Sequence, residues 1–213
     1  GPMAEAIVRA LGLFTELPAR PLDSVKISDP TLGEIYLTHH TRFASNRWGE
    51  TPSSPDLSET GSRGFSPHQK FYGLDLFVPN NSLGAVADKL IAAAKQTGGR
   101  AVGWTAFETA RIEAGIPRYG ADMDETNIPL ECGIESRAIV YNKGCYIGQE
   151  VINRIHSVGH VTRELRGLRL AEPAGAGDPL PQRGDRLFHA GKDVGYVTSA
   201  VKSPLLNANI ALG

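Results

Sequence analysis

Lys143-Gly144-Cys145-Tyr146-Ile147-Gly148-Gln149-Glu150 sets a cation, a thiol, an amide, a carboxylate and two glycines side by side. The residues that follow, Val151-Ile152-Asn153-Arg154-Ile155-His156, put Val151, Ile152 and Ile155 on one face at helical spacing. This pattern predicts that Cys145 lies in a tight loop entering a helix N-terminus. There the partial positive charge of the helix and nearby Lys143 both favour a thiolate, the form in which cysteine attacks electrophiles. Gly144 and Gly148 let the backbone turn sharply or let a ligand approach it closely. A single cysteine is more often a small buried thiol than a reactive one. A core thiol, however, needs neither a lysine two residues before it nor a Gln-Glu pair after it.

Upstream of that loop, helical and strand patterns alternate. Ala4 to Leu13 reads as a short helix with Ile7, Val8, Leu11 and Phe14 on one face, ended by Pro18 and Pro21. Strands are expected at Ser24–Ser28 and Gly33–Thr38, joined by a turn at Asp29-Pro30. His39 and His40 are neighbours on a strand and so point to opposite faces, which rules out joint ligation of one metal without a bulge. From Ala44 to Gly64 the chain is polar and rich in Ser, Pro and Gly, the composition of a long mobile loop. Phe71 to Val78 returns to strand character, and Asn81 or Ser82 caps a helix over Leu83–Gln96 that Gly98-Gly99 closes. Ala101-Val102-Gly103-Trp104 reads as a brief strand. Thr105, with Glu108 three residues on, then caps a helix running to Gly115. Three strands, a helix, a strand and a helix predict an antiparallel sheet with helices on one face, for which a ferredoxin-like arrangement is the natural candidate.

Beyond Pro129 the pattern changes. Val161 to Leu170 alternates as a strand, Pro173 to Gly184 is a Pro/Gly/Ala-rich connection, and short strands are expected at 186–188, 194–199 and 208–212. Evenly spaced short strands of this kind predict a small β-barrel. The fold class is therefore α+β, with domains at 4–157 and 158–213.

The 213 residues are 41% hydrophobic and carry 22 Lys plus Arg against 23 Asp plus Glu, a net charge of −1. That balance argues against nucleic acid as a partner. The basic residues Arg154, His156, His160, Arg163, Arg166 and Arg169 read as a solvated face. Two cysteines, Cys132 and Cys145, are too few for a disulfide framework or a self-contained metal or cluster site, and they point to a reducing compartment. No apolar run approaches the ~20 residues needed to span a bilayer. Gly1-Pro2 before Met3 looks like a scar left by tag removal.

The Cys145 octet resembles the Lys-Gly-Cys-Phe/Tyr-x-Gly-Gln-Glu signature of the folate-binding proteins that support iron–sulfur enzymes, the bacterial YgfZ family and its mitochondrial relatives. These share a fold with the aminomethyltransferase, or T-protein, of glycine cleavage. Gly73-Leu74-Asp75-Leu76-Phe77-Val78-Pro79 is similar to the family segment whose carboxylate holds the pterin ring. Arg111 to Asp122, with Glu113 and Tyr119, resembles the helix-to-loop segment beside the ligand, and Gly195-Tyr196-Val197-Thr198-Ser199 resembles the barrel domain. The chain departs from the glycine cleavage enzymes at Phe107, where they usually carry Arg. The family also reaches beyond Met3 and Gly213, which implies a shortened chain.

What the resemblance implies is an aminomethyltransferase-like fold and tetrahydrofolate, or another reduced folate, as cofactor. It implies Asp75, Arg111, Glu113 and Tyr119 as cofactor-binding residues. Cys145 is the implied reactive group, activated by Lys143, with Gln149 and Glu150 organising its loop. No metal site is implied. The partners would be folate and either iron–sulfur client enzymes or cluster-assembly proteins, with no membrane, in the bacterial cytoplasm or the mitochondrial matrix. Two other functions fit the residues: a folate-dependent aminomethyl transferase, which is the only enzyme activity implied, and a non-catalytic module docking a client or RNA.

Overall fold

The structure is a computed structural model that describes residues 3–40, 73–170 and 179–213. The long polar loop expected at 44–64 and the first half of the connection at 173–184 lie outside the described residues. By compactness the chain forms two units, the described residues up to Glu108 and those from Thr109 on, so the expected boundary at 157/158 lies inside the second.

In the first unit, α1 (Ala4–Leu11) is followed by β1 (Ser24–Asp29), β2 (Gly33–His40) and β3 (Gly73–Phe77), and then by α2 (Leu83–Gln96). The strands form an antiparallel meander in the order β1-β2-β3, with Lys26 opposite Tyr36 and Tyr36 opposite Phe77. The β1–β2 turn is closed by Asp29, whose Oδ1 accepts the amides of Thr31 and Leu32 at 2.8 Å each. Ile35 and Leu37 project from β2 into a core with Val8 and Leu11 of α1, Phe14, and Val86 of α2. Leu74, Leu76, Val25 and Ile27 pack against it from the flanking strands, so both helices cover one face of the sheet.

The helix at Leu83–Gln96 has the expected bounds, preceded by a 3-10 turn over Asn80–Ser82. It ends where Gly98, at φ +79°, lets its own amide reach the Lys95 carbonyl and that of Gly99 reach Ala94. Two expectations fail here. Ala101–Gly103 form no strand: Val102 is exposed, so the alternation has no buried face to serve. The helix α3 (Trp104–Glu113) instead starts one residue before Thr105, with the Gly103 carbonyl accepting the Phe107 amide. The ferredoxin-like layout fails too. β1 and β2 are joined by a tight turn rather than a helix, and no fourth strand joins this sheet among the described residues.

In the second unit, α4 (Glu135–Ala138) and α5 (Gln149–Val158) precede β4 (Gly167–Arg169), β5 (Arg186–His189), β6 (Lys192–Tyr196), β7 (Ser199–Ser203) and β8 (Ala208–Leu212). The sheet order is β4-β8-β7, with β5-β6 a separate hairpin, so the described strands do not close a barrel. The single strand expected over 194–199 is two strands. Between them Val197 bonds to Asp185 and Thr198 to Leu212, carrying the chain from the hairpin to the larger sheet. The strand expected over 161–170 shrinks to β4 because Leu165 donates its amide to the Glu131 carbonyl instead of to a strand. Ile112 of α3 packs with Ile210 and Leu212 of β8 as this unit's core.

Leu37 is fully buried at the centre of the first core. Leu37→Ala should lower the unfolding free energy by about 2–5 kcal/mol. Urea denaturation measures it, and a loss below about 1 kcal/mol would mean that the core around β2 collapses onto the gap.

Candidate functional site

Cys145 is exposed, and Cys132 is buried. Burial, with help from the Glu131 and Asp124 carboxylates, pushes the Cys132 thiol up in pKa, which keeps it protonated and inert. The loop that carries Cys145 ends at Gly148, whose φ of +87° turns the chain into α5. A Cβ at Gly148 would meet no atom, so the backbone angle, not crowding, requires glycine there. Gly144 has open space around it and an ordinary φ, so no close contact explains it. Lys143 points its ammonium at the Tyr146 ring, 5.0 Å from the centroid, rather than standing clear of the loop. Cys145 lies three residues before the Gly148 cap, outside the helix proper. Gln149 and Glu150 form the first turn of α5, Gln149 half-buried and Glu150 exposed.

A polar cluster that the sequence reading missed holds both ends of this segment. Glu135 Oε1 accepts the Tyr141 hydroxyl at 2.6 Å and lies 2.7 Å from His156 Nδ1. The Tyr141 and His156 rings stack with centroids 4.1 Å apart. Tyr141 sits just before the Cys145 loop and His156 in the last turn of α5, so one carboxylate ties the loop's entry to the helix that follows it. Desolvation and the Glu135 hydrogen bond push the Tyr141 phenol up to about 12, while the Tyr141 hydrogen bond, ahead of His156, holds Glu135 below the usual carboxylate range.

The other candidates fall elsewhere. Arg111 is buried at the core of the second unit, its side chain 3% exposed and that of Asp122 0%. Arg111 Nη1 meets Asp122 Oδ2 at 2.5 Å, and Nη2 donates to Ser199 Oγ at 2.8 Å. The Arg118 amide donates to the same Asp122 oxygen at 3.0 Å, and the Thr198 hydroxyl donates to Oδ1 at 2.6 Å. Asp122 is enclosed. Glu113 accepts the Ser203 hydroxyl at 2.6 Å and the Leu205 amide at 3.1 Å, pinning α3 to the β7–β8 turn. Tyr119 is exposed and donates to Glu125 at 3.2 Å, a bond that raises its phenol pKa. Asp75 stands in the first unit on β3, opposite Thr38. Its neighbours Leu74 and Leu76 pack on the core, so Asp75 shares the other face with the exposed rings of Phe77 and Tyr36. Arg111, Glu113, Tyr119 and the Cys145 motif all belong to the second unit.

A cavity of about 220 Å³ opens in the second unit beside Asp122, Glu131, Cys132, Arg163, Tyr196 and Thr198, and none of the eight candidate residues lines it. Among the described residues no group of three His, Cys, Asp or Glu side chains could hold a metal ion. No helix there is long and apolar enough to cross a membrane.

The profile of the GCVT N-terminal domain matches residues 72–143, and that of the glycine cleavage T-protein C-terminal barrel domain matches residues 163–213. The chain belongs to the glycine cleavage T-protein family. Among curated relatives, an aminomethyltransferase of Caldanaerobacter subterraneus subsp. tengcongensis is 31% identical over 140 residues, which cover 66% of this chain and 36% of the relative. One from Shouchella clausii is 30% identical over a stretch of the same length. The chain therefore spans little more than a third of the curated relatives it matches. The crystal structure of glycine cleavage system aminomethyltransferase T from Bartonella henselae covers the whole chain at a TM-score of 0.64 and 18% identity, while the chain covers 49% of it, which shows the shared α+β fold. The two family matches leave out 144–162, the stretch that carries Cys145 and α5.

The Tyr141 phenol should titrate near 12 in an alkaline absorbance titration, isolated as the difference between the chain and its Tyr141→Phe variant. Because the folded value lies above the ordinary 10.0, the bond stabilises the fold below about pH 10 and is lost as pH rises through about 12. Glu135→Gln should move the midpoint down. A wild-type midpoint at the ordinary value would dissolve the cluster.

Proposed function

We propose that this chain is a tetrahydrofolate-binding member of its family that supports assembly or repair of iron–sulfur clusters in client enzymes, with Cys145 as its reactive group. The observation that carries the reading is the contrast between the two cysteines. Cys145 is exposed in a loop framed by Gly144 and Gly148, while Cys132 is buried and held protonated. An exposed thiolate can attack a disulfide, form a transient adduct or donate one cluster ligand, but it cannot hold a cluster alone. Lys143, Gln149 and Glu150 are assigned to shaping the loop.

For the folate, Asp75 is the strongest candidate. A carboxylate on the same sheet face as two exposed aromatic rings suits a planar heterocycle with adjacent N–H donors, which it can bind through a charge-assisted pair. In the second unit Tyr119 is exposed, whereas Arg111 and Glu113 are engaged with Asp122, Ser199 and Ser203.

The relatives' names favour a second reading, a folate-dependent aminomethyl transferase. That chemistry needs a general acid or base at the ligand. Asp122 is poorly placed for the task, because Arg111, the Arg118 amide and Thr198 occupy both of its oxygens. Phe107 also stands where such enzymes usually carry Arg. The reading of cluster support is therefore preferred.

Folate titration followed by quenching of the exposed Trp104, on this chain and on versions extended at both ends, tests the cofactor. Asp75→Asn should weaken binding by about 1.5–3 kcal/mol. Cys145→Ala should leave folate affinity nearly intact yet fail to restore iron–sulfur enzyme activity in cells lacking the native protein. Full restoration by Cys145→Ala would make the motif a structural loop. Turnover of an aminomethyl donor would hand the case to the transferase.

A further inference from the structure

The cavity beside Asp122 is lined by a carboxylate whose hydrogen bonding is half complete. Glu131 is part of its wall, with a side chain only 10% exposed. Glu131 Oε2 accepts the Ile128 amide at 3.2 Å and lies 3.4 Å from Arg163 Nη2, longer than a well-made charged hydrogen bond. Oε1 has no hydrogen-bond donor among the described residues. The turn over 128–131 needs only Oε2, because the Glu131 amide already reaches the Ile128 carbonyl at 2.9 Å. The other carboxylates of the wall are committed: both oxygens of Asp122 are taken, and Glu164 pairs with Arg166. A buried acceptor without a donor is costly in a protein interior, so it marks a place where a ligand can supply one.

Charge and size indicate the ligand. Cys132, on the same wall, reports the sign of the field: after burial, the Glu131, Asp124 and Asp122 carboxylates raise its thiol pKa, with Arg163 pulling the other way. Arg163 does not reverse that sign, since its side chain is 64% exposed and solvent screens it. An anion would thus meet a screened cation at the mouth and a buried carboxylate inside. The volume is about 220 Å³, whereas about 150 Å³ suffices for a benzene ring, so a ring with a short arm fits. Leu165, Val194 and Tyr196 supply apolar and aromatic lining for such a body. We propose that this cavity binds a small organic cation, a primary ammonium on a short aromatic or aliphatic stem, with the ammonium donating to Glu131 Oε1 and the stem lying against Val194 and Tyr196. This site uses neither Asp75 nor Cys145 and is independent of folate and cluster chemistry.

The test titrates phenethylamine into the isotope-labelled 213-residue chain and follows its amide resonances. The amides of Cys132, Leu165 and Gly195, all on the cavity wall, should shift saturably. Phenethyl alcohol, of the same shape without the charge, should bind at least about tenfold more weakly, and the anion phenylacetate should not bind. Glu131→Gln, which keeps an oxygen for the Ile128 amide, should weaken phenethylamine by at least about tenfold. Arg163→Gln changes an exposed side chain and should tighten phenethylamine, because the guanidinium opposes an incoming cation. A gain in affinity is a result that misfolding cannot produce. Equal binding of the amine and the alcohol, binding of the anion, weaker binding in Arg163→Gln, unchanged binding in Glu131→Gln, shifts away from the cavity wall, or no saturable shift would overturn the proposal.

Discussion

The contact between Arg111 and Asp122 is the constraint on which the second unit depends. Two charges taken out of water are tolerated only when each is met by an opposite charge and by hydrogen bonds that use the remaining lone pairs and protons. Here the guanidinium serves Asp122, the Ile116 carbonyl and Ser199, and the carboxylate collects Arg111, the Arg118 amide and Thr198. These partners come from α3, from the loop that follows it and from the point where the chain crosses between the two small sheets. Ile112, the next residue after Arg111, supplies the apolar side of the same junction against Ile210 and Leu212. A short helix, an irregular loop and two short sheets thereby acquire one fixed arrangement.

That arrangement bears on chemistry. A carboxylate whose two oxygens are taken up by a guanidinium, an amide and a hydroxyl has little left to offer a substrate. The cysteine of this unit that does face solvent is Cys145. Its loop is restrained without being buried: Gly148 sets the angle of entry to α5, and Glu135 gathers Tyr141 and His156 on either side.

Local patterns in the sequence translated well into structure. The helix at Leu83–Gln96 was legible from its apolar spacing and terminal glycines, β1 and β2 from alternation around Asp29-Pro30, and the Cys145 loop from its glycines and the following helix. What stayed hidden was set by distant partners. Nothing near Asp122 announces Arg111 eleven residues earlier or Thr198 on the far side of the unit. Glu135, Tyr141 and His156 look ordinary until folding stacks them. Val151 matched the apolar face of a helix, yet periodicity reports only that a face exists and not whether anything covers it. The strand expected at 101–104 had no buried face to serve, and that expected from 161 was cut short where the Leu165 amide went to the Glu131 carbonyl.

A double-mutant cycle on Arg111→Met and Asp122→Asn, read by urea unfolding and by the alkylation rate of Cys145, tests the account most directly. Each single change should destabilise the unit by roughly 3–5 kcal/mol, because it strands a buried partner, and the double variant should lose much less than the sum. Under native conditions Cys145 should react at its wild-type rate in every variant that remains folded. Additive losses, or a Cys145 rate that follows Asp122, would contradict the division between a buried ion pair that holds the unit together and an exposed loop that reacts.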